Sequence, residues 1–220
     1  MYKILLVFLL ITAGCTKTVT EFTVKTSFKP GERILVLKPE ISGKAYYKSA
    51  EEALSGSITA NLGNLGFNYL IVWDAMPPVY GKFFHRIHEL SRDIFSTATN
   101  NIEKAGDKKD YKDEFIANLD LLGNRFNDAL KKKQFGEWTP QYILVTGIVY
   151  KGSTFSGSLK LWVYGVLIDR VTRNVVWGHA FDTRCGANQE RMTVAAINSG
   201  KILAVELTNW VKKSTIKSSK

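Results

Sequence analysis

Hydrophobic and polar positions change period several times along the chain, and each change marks an element. Ile34-Leu35-Val36-Leu37 is a short unbroken apolar run between Gly31 and Pro39, the pattern of a buried strand. A polar loop is expected from there through Gly43. Tyr46/Tyr47, Ala50, Leu54, Ile58, Leu62 and Leu65 then recur at helical spacing, and Gly66 stands where a helix C′ residue belongs. Tyr69, Leu70, Ile71 and Val72 form a second apolar run over 68–73. Strand, helix and strand within about 40 residues predict a parallel pair with a crossover helix.

Pro77-Pro78 closes that unit. Phe84, Ile87, Ser91, Ile94, Ala98 and Ile102 form one helical stripe, and Tyr111, Phe115, Leu119, Leu122, Phe126 and Leu130 a second. Together they predict a helical hairpin over 82–133. The second half alternates with period two. Tyr142–Tyr150, Leu159–Ile168 and Val175–Phe181 read as an antiparallel meander, with turns near Gly152–Gly157 and Thr172–Asn174. Met192, Ala196, Ile202/Leu203, Leu207 and Trp210 predict a closing helix over 189–211. The fold class is α+β: a mixed sheet with helices mainly on one face and an inserted helical hairpin.

The N-terminus adds the compartment. Lys3 precedes the apolar stretch Ile4–Ile11, which is too short for the roughly 20 residues of a membrane-spanning helix. Thr12-Ala13-Gly14 are small and Cys15 follows at once. This is a secretory signal pattern. It resembles a bacterial lipoprotein signal, which implies cleavage before Cys15 and acylation of its thiol. Thr16 after the cysteine resembles the outer-membrane sorting pattern. An ordinary secreted protein with an incidental Cys15 is the competing reading. The expected organisation is a signal at 1–14, a lipidated tether at 15–31, one periplasmic domain at 32–212 and a basic tail at 213–220. Alternation around Phe22, Val24 and Phe28 allows an edge strand within the tether.

Composition narrows the chemistry. The chain has 220 residues, 45% of them hydrophobic, which excludes wholesale disorder. Two cysteines exclude a disulfide-stapled scaffold and a four-thiolate zinc site. Once Cys15 is acylated, Cys185 has no intramolecular partner, and a buried inert thiol is expected. No nucleophile elbow, phosphate-binding glycine loop, thiol redox pair or zinc-protease motif occurs. Asp169 and Asp182 would be a carboxylate pair only if the hairpin joined them. His85 and His88 lie three apart with Glu89 beside them, and the remaining histidine is His179. A metal-dependent enzyme built on these three is the rival from a different class.

The formal net charge is +10. For an exported chain, anionic lipid or peptidoglycan is a more natural counterpart than nucleic acid. Lys131, Lys132, Lys133, Lys212 and Lys213 are the candidate contacts. Trp162 and Tyr164 fall on the strand face opposite Leu161 and Val163. They form an aromatic protein contact if no helix covers that face, and part of a doubly covered sheet if one does.

The element order also resembles small periplasmic domains of outer-membrane lipoproteins. These are the curli-secretion channel lipoprotein, the activators of penicillin-binding proteins, and the N-terminal domain of the Tol-system translocation protein. The matching residues are Cys15, Ile34–Leu37, the helix from Tyr46 to Leu65, Tyr142-Ile-Leu-Val-Thr-Gly147 and the hairpin around Asp169-x-x-Thr172-x-x-Val175. The resemblance implies a non-catalytic binding or assembly role, without cofactor and with an envelope protein as partner. Activation of a peptidoglycan synthase is one alternative. A homo-oligomeric, ring-forming secretion subunit is another.

Overall fold

A computed structural model describes residues 19–23, 32–64, 66–71, 85, 88–89, 91–92, 140–169, 171 and 175–216. The helical hairpin expected over 82–133 otherwise lies outside the described residues, as do Cys15 and Lys131–Lys133.

Seven strands make one mixed sheet: β1 (Val19–Thr23), β2 (Arg33–Val36), β3 (Glu40–Ser42), β4 (Asn68–Ile71), β5 (Tyr142–Ser153), β6 (Leu159–Asp169) and β7 (Val175–Cys185). Their order is β1-β7-β6-β5-β2-β4, and β3 pairs with β5. The meander β5–β6–β7 is antiparallel throughout. The pair β2–β4 is parallel and is joined by helix α1 (Lys48–Asn64), as the first apolar runs predict.

Two strands differ from the sequence reading. Val19–Thr23 belongs to the sheet as an edge strand antiparallel to β7, the alternative to a plain tether that the alternation around Phe22 allows. Glu40-Ile41-Ser42, expected as loop, pairs in parallel with Gly147–Val149. It takes up the β5 backbone groups just beyond those that β2 satisfies at Tyr142–Leu144.

Helix α1 buries Ala50, Glu51, Leu54, Ser55, Ile58, Thr59 and Leu62, a stripe at three- and four-residue spacing. It stops at Gly66, whose φ of 77° suits the left-handed C′ position. There the Phe67 N–H donates to the Leu62 carbonyl (3.1 Å), and the Phe67 ring is buried. Helix α2 (Gln189–Ile216) starts where the Asn188 side chain accepts from the Arg191 N–H (2.8 Å). It runs past the expected end at Val211, because nothing in Lys212–Ile216 is Gly or Pro and Lys213 suits the last turn.

The two helices pack side by side on one face of the sheet. A side chain at Gly200 would come within 2.8 Å of Ser57 Cβ, so glycine sets the close approach. The Ser57 hydroxyl donates to the Ile197 carbonyl across this seam (2.8 Å). The core between helices and sheet contains Leu54, Ile58, Leu144, Ile148, Val163, Trp177, Phe181, Leu203 and Leu207.

The second face is buried as well. Leu35, Ile143, Val145, Tyr164, Val166 and Ile168 are at most 2% exposed, and register places them opposite the helix side.

Candidate functional site

The second face carries a cluster of polar side chains. Glu40 comes from β3, Lys38 from the turn before it, Tyr164 from β6, and His85, His88, Glu89 and Arg92 from helical residues. Gly147 makes the room. Tyr164 is its cross-strand partner, and a methyl at Gly147 would lie 2.6 Å from two ring atoms and the hydroxyl oxygen of Tyr164.

His88 is the centre of the cluster. The Lys38 carbonyl only accepts, so His88 Nε2 carries the proton and donates to it (2.9 Å). His88 Nδ1 then accepts from the Tyr164 hydroxyl (2.8 Å). Burial pushes His88 down from 6.5 to about 4, against the opposing pull of Glu40. Burial likewise holds the Tyr164 hydroxyl protonated, well above the usual tyrosine range. Both rings are therefore neutral at pH 7.

An ionic group surrounds them. Glu40 accepts from His85 Nδ1 (2.6 Å) and pairs with Arg92 through its other oxygen. Glu89 lies 3.3 Å from His85 Nε2. Lys38 reaches the buried carboxylate of Glu51 on α1 (2.5 Å). Lys38, Pro39, Glu40, Ile41, Tyr46, Glu51, His85 and His88 line an open cleft of about 250 Å³.

The arrangement ties the helical residues to β3 and β6. It spends both ring nitrogens of His88 on protein groups, so its one nitrogen lone pair, on Nδ1, does not face a ligand. His179 stands on the other side of the sheet. It is the cross-strand partner of Gly165, whose face meets Leu203 of α2, and it stacks on Trp177 and lies tilted against Phe181. The proposed convergence of His85, His88 and His179 on one metal does not occur. Among the described residues no group of three or more His, Cys, Asp or Glu is placed to hold a metal ion.

The remaining sequence candidates fall as follows. Tyr164 is not an exposed contact: it is fully buried, because His88 lies against it and the glycine beneath admits its ring. Trp162 is half-buried, stacked on Tyr164 (5.3 Å between ring centres) with Lys151 Nζ 5.2 Å from its own ring centre. Lys212 and Lys213 are exposed at the C-terminal end of α2. Asp169 pairs in register with Tyr142 and Asp182 with Trp162, near opposite ends of β6, so they form no carboxylate pair. The Cys185 thiol lies 3.6 Å from the Met192 sulfur, and burial pushes its pKa up, away from nucleophilic use.

Glu40, Lys38 and Arg92 were not among the sequence candidates. Glu40 is 45 positions from His85, so no local spacing joins them. The signal that was present is Gly147, a lone glycine inside an apolar strand, which marks a close approach.

No protein-family model matches the chain, and no curated protein is similar to it in sequence. Several solved structures are loosely similar. The PelC dodecamer of Paraburkholderia phytofirmans superposes with a TM-score of 0.43 at 13% identity, over 86% of this chain and 96% of that one. Protein XCC0632 of Xanthomonas campestris gives 0.41 at 10% identity, over 86% and 88%. Lipoprotein GNA1162 of Neisseria meningitidis gives 0.35 at 11%, over 83% and 99%. Superpositions this loose leave the function to be argued from the chain's own residues.

Proposed function

We propose that the chain is a lipid-anchored protein of the outer membrane, facing the periplasm, that binds or scaffolds partners in envelope assembly or secretion without catalysing a reaction. The observation that carries this reading is the stretch Ile4–Cys15, an apolar run ending in small residues before a cysteine. Two features of the folded domain support it. The polar cluster on the second face is consumed by contacts within the protein, which is the behaviour of a structural clamp. Cys185, the cysteine left after acylation, is half-buried against Met192.

The test has two parts. The full chain is expressed in a Gram-negative host and fractionated beside Cys15→Ala. The parent is expected in the outer-membrane fraction and the variant outside it; equal distribution of both rejects the anchor. Living cells are then cross-linked, and captured proteins are identified by mass spectrometry. One dominant envelope protein supports the binding role. A peptidoglycan synthase as that protein selects the activator form of it. Capture of the chain by itself selects a homo-oligomer. No capture counts against the assembly role.

A further inference from the structure

The edge strand β1 bears on which end of the domain faces the bilayer, an inference that rests on acylation of Cys15. Val19 stands opposite Phe181, and Phe181 opposite Val163. Cys15 precedes Val19 by four residues, a length of chain that spans at most about 14 Å. The same four-residue step along β6, from Val163 back to Leu159, covers about 13 Å. The anchor can therefore stand level with Leu159 and Cys185, which pair at the end of the sheet. The β5–β6 hairpin, Thr154–Ser158, projects beyond that level from the same end.

That end has a distinct chemistry. Phe155 on the hairpin is fully exposed, the most exposed large apolar side chain among the described residues. Lys160 and Arg184 are cross-strand partners, both exposed, on the same face as Trp162. Lys151 is exposed and reaches over the Trp162 ring. Asp182, the cross-strand partner of Trp162, is the carboxylate on this face, and Glu190, in the first turn of α2, belongs to the helix side of the same end. Three cations thus face one carboxylate around a half-buried indole, beside an exposed phenyl ring. An aromatic tip with a basic surround suits the interface of an anionic bilayer, where rings sit at headgroup depth and cations meet phosphate. Lys212 and Lys213 are elsewhere. Helix α2 passes Cys185 at Met192 and Gly165 at Leu203, so its C-terminus points to the opposite end of the sheet.

We propose that Phe155, Lys151, Lys160 and Arg184 form a docking surface for anionic phospholipid, seated on the leaflet that holds the acyl chains of Cys15. The domain then lies against the membrane with its β5–β6 hairpin in the headgroup layer, and the β6–β7 turn points away.

The test uses the full acylated chain in vesicles of phosphatidylethanolamine and phosphatidylglycerol. Spin labels are placed through Phe155→Cys, or through Val171→Cys at the opposite end, each in a Cys185→Ala background. Intact mass reports acylation of residue 15. Collision with a water-soluble nickel complex is expected to be at least threefold weaker at position 155 than at 171. Lys160→Glu with Arg184→Glu, or vesicles of phosphatidylcholine alone, should close most of that gap. Acylated protein with equal collision rates at both positions overturns the docking surface and leaves the anchor standing. A mass without acyl chains removes both. A gap unchanged by the charge reversal overturns the role of the cations.

Discussion

Through the middle of the sheet the two faces are buried to a similar degree and built in opposite ways; towards the β5–β6 hairpin the second face opens. The helix side is apolar: Leu144, Ile148, Val163, Trp177 and Phe181 meet Leu54, Ile58, Leu203 and Leu207. The other face places a neutral histidine, a tyrosine and an ion-paired glutamate over aliphatic neighbours. Apolar packing is non-directional and tolerates small shifts, whereas each hydrogen bond of the polar face admits one partner at one angle. The helix side therefore supplies bulk stability. The second face sets where β3 and the helical residues attach, at the risk of leaving buried groups unsatisfied when one partner is lost.

Three measurements break or sharpen that contrast. The largest effect belongs to the apolar side. Trp177→Ala empties a fully buried indole site and should cost about 3–5 kcal/mol in urea unfolding. Acid should act on the polar side. His88 titrates at about 4 when folded and at its ordinary 6.5 when unfolded, so between these values the unfolded chain binds the extra proton. Stability from neutral His88 is whole above pH 6.5 and is lost as pH falls towards 4, by up to about 3 kcal/mol. His88→Gln should flatten the slope of unfolding free energy over this window; an unchanged slope would assign it to other groups. The smallest effect is Tyr164→Phe. It keeps the ring over Gly147 and removes the donor to His88 Nδ1, for a cost of about 1–2 kcal/mol. A loss as large as that of Trp177→Ala would mean that the two faces are not distinct in the way described.

The same contrast explains what was legible in the sequence. Elements of the apolar side announce themselves by period: Ile34–Leu37, the stripe of α1 with its stop at Gly66, the meander and the start of α2 all follow from local pattern. The polar face does not. Alternation in β6 separates Tyr164 from Leu161 and Val163, but it says nothing about what covers Tyr164. Glu40 and Ile41 look like loop because β3 has three residues and a charge at its start. The strand exists through pairing with residues more than a hundred positions away. His179 has the sequence context of a strand residue, and only its register with Gly165 shows that it faces away from His88. Val19–Thr23 is polar enough to resemble a linker, and its place beside β7 is set by that partner rather than by its own composition.

The seam at Gly200 bears on the order in which the chain acquires its structure. The meander β5–β6–β7 joins neighbours in sequence and can zip from its own turns. Helix α1 instead rests on α2, with Ser57 bonded to Ile197 140 positions later, and β2 waits for Tyr142–Leu144. Contacts of such separation close slowly, because a long loop must be ordered before they repay it. A polypeptide emerging N-terminus first therefore lacks the helix that α1 rests on until the last thirty residues appear. Such a chain closes the α1–α2 seam last, after every strand of its sheet has been made.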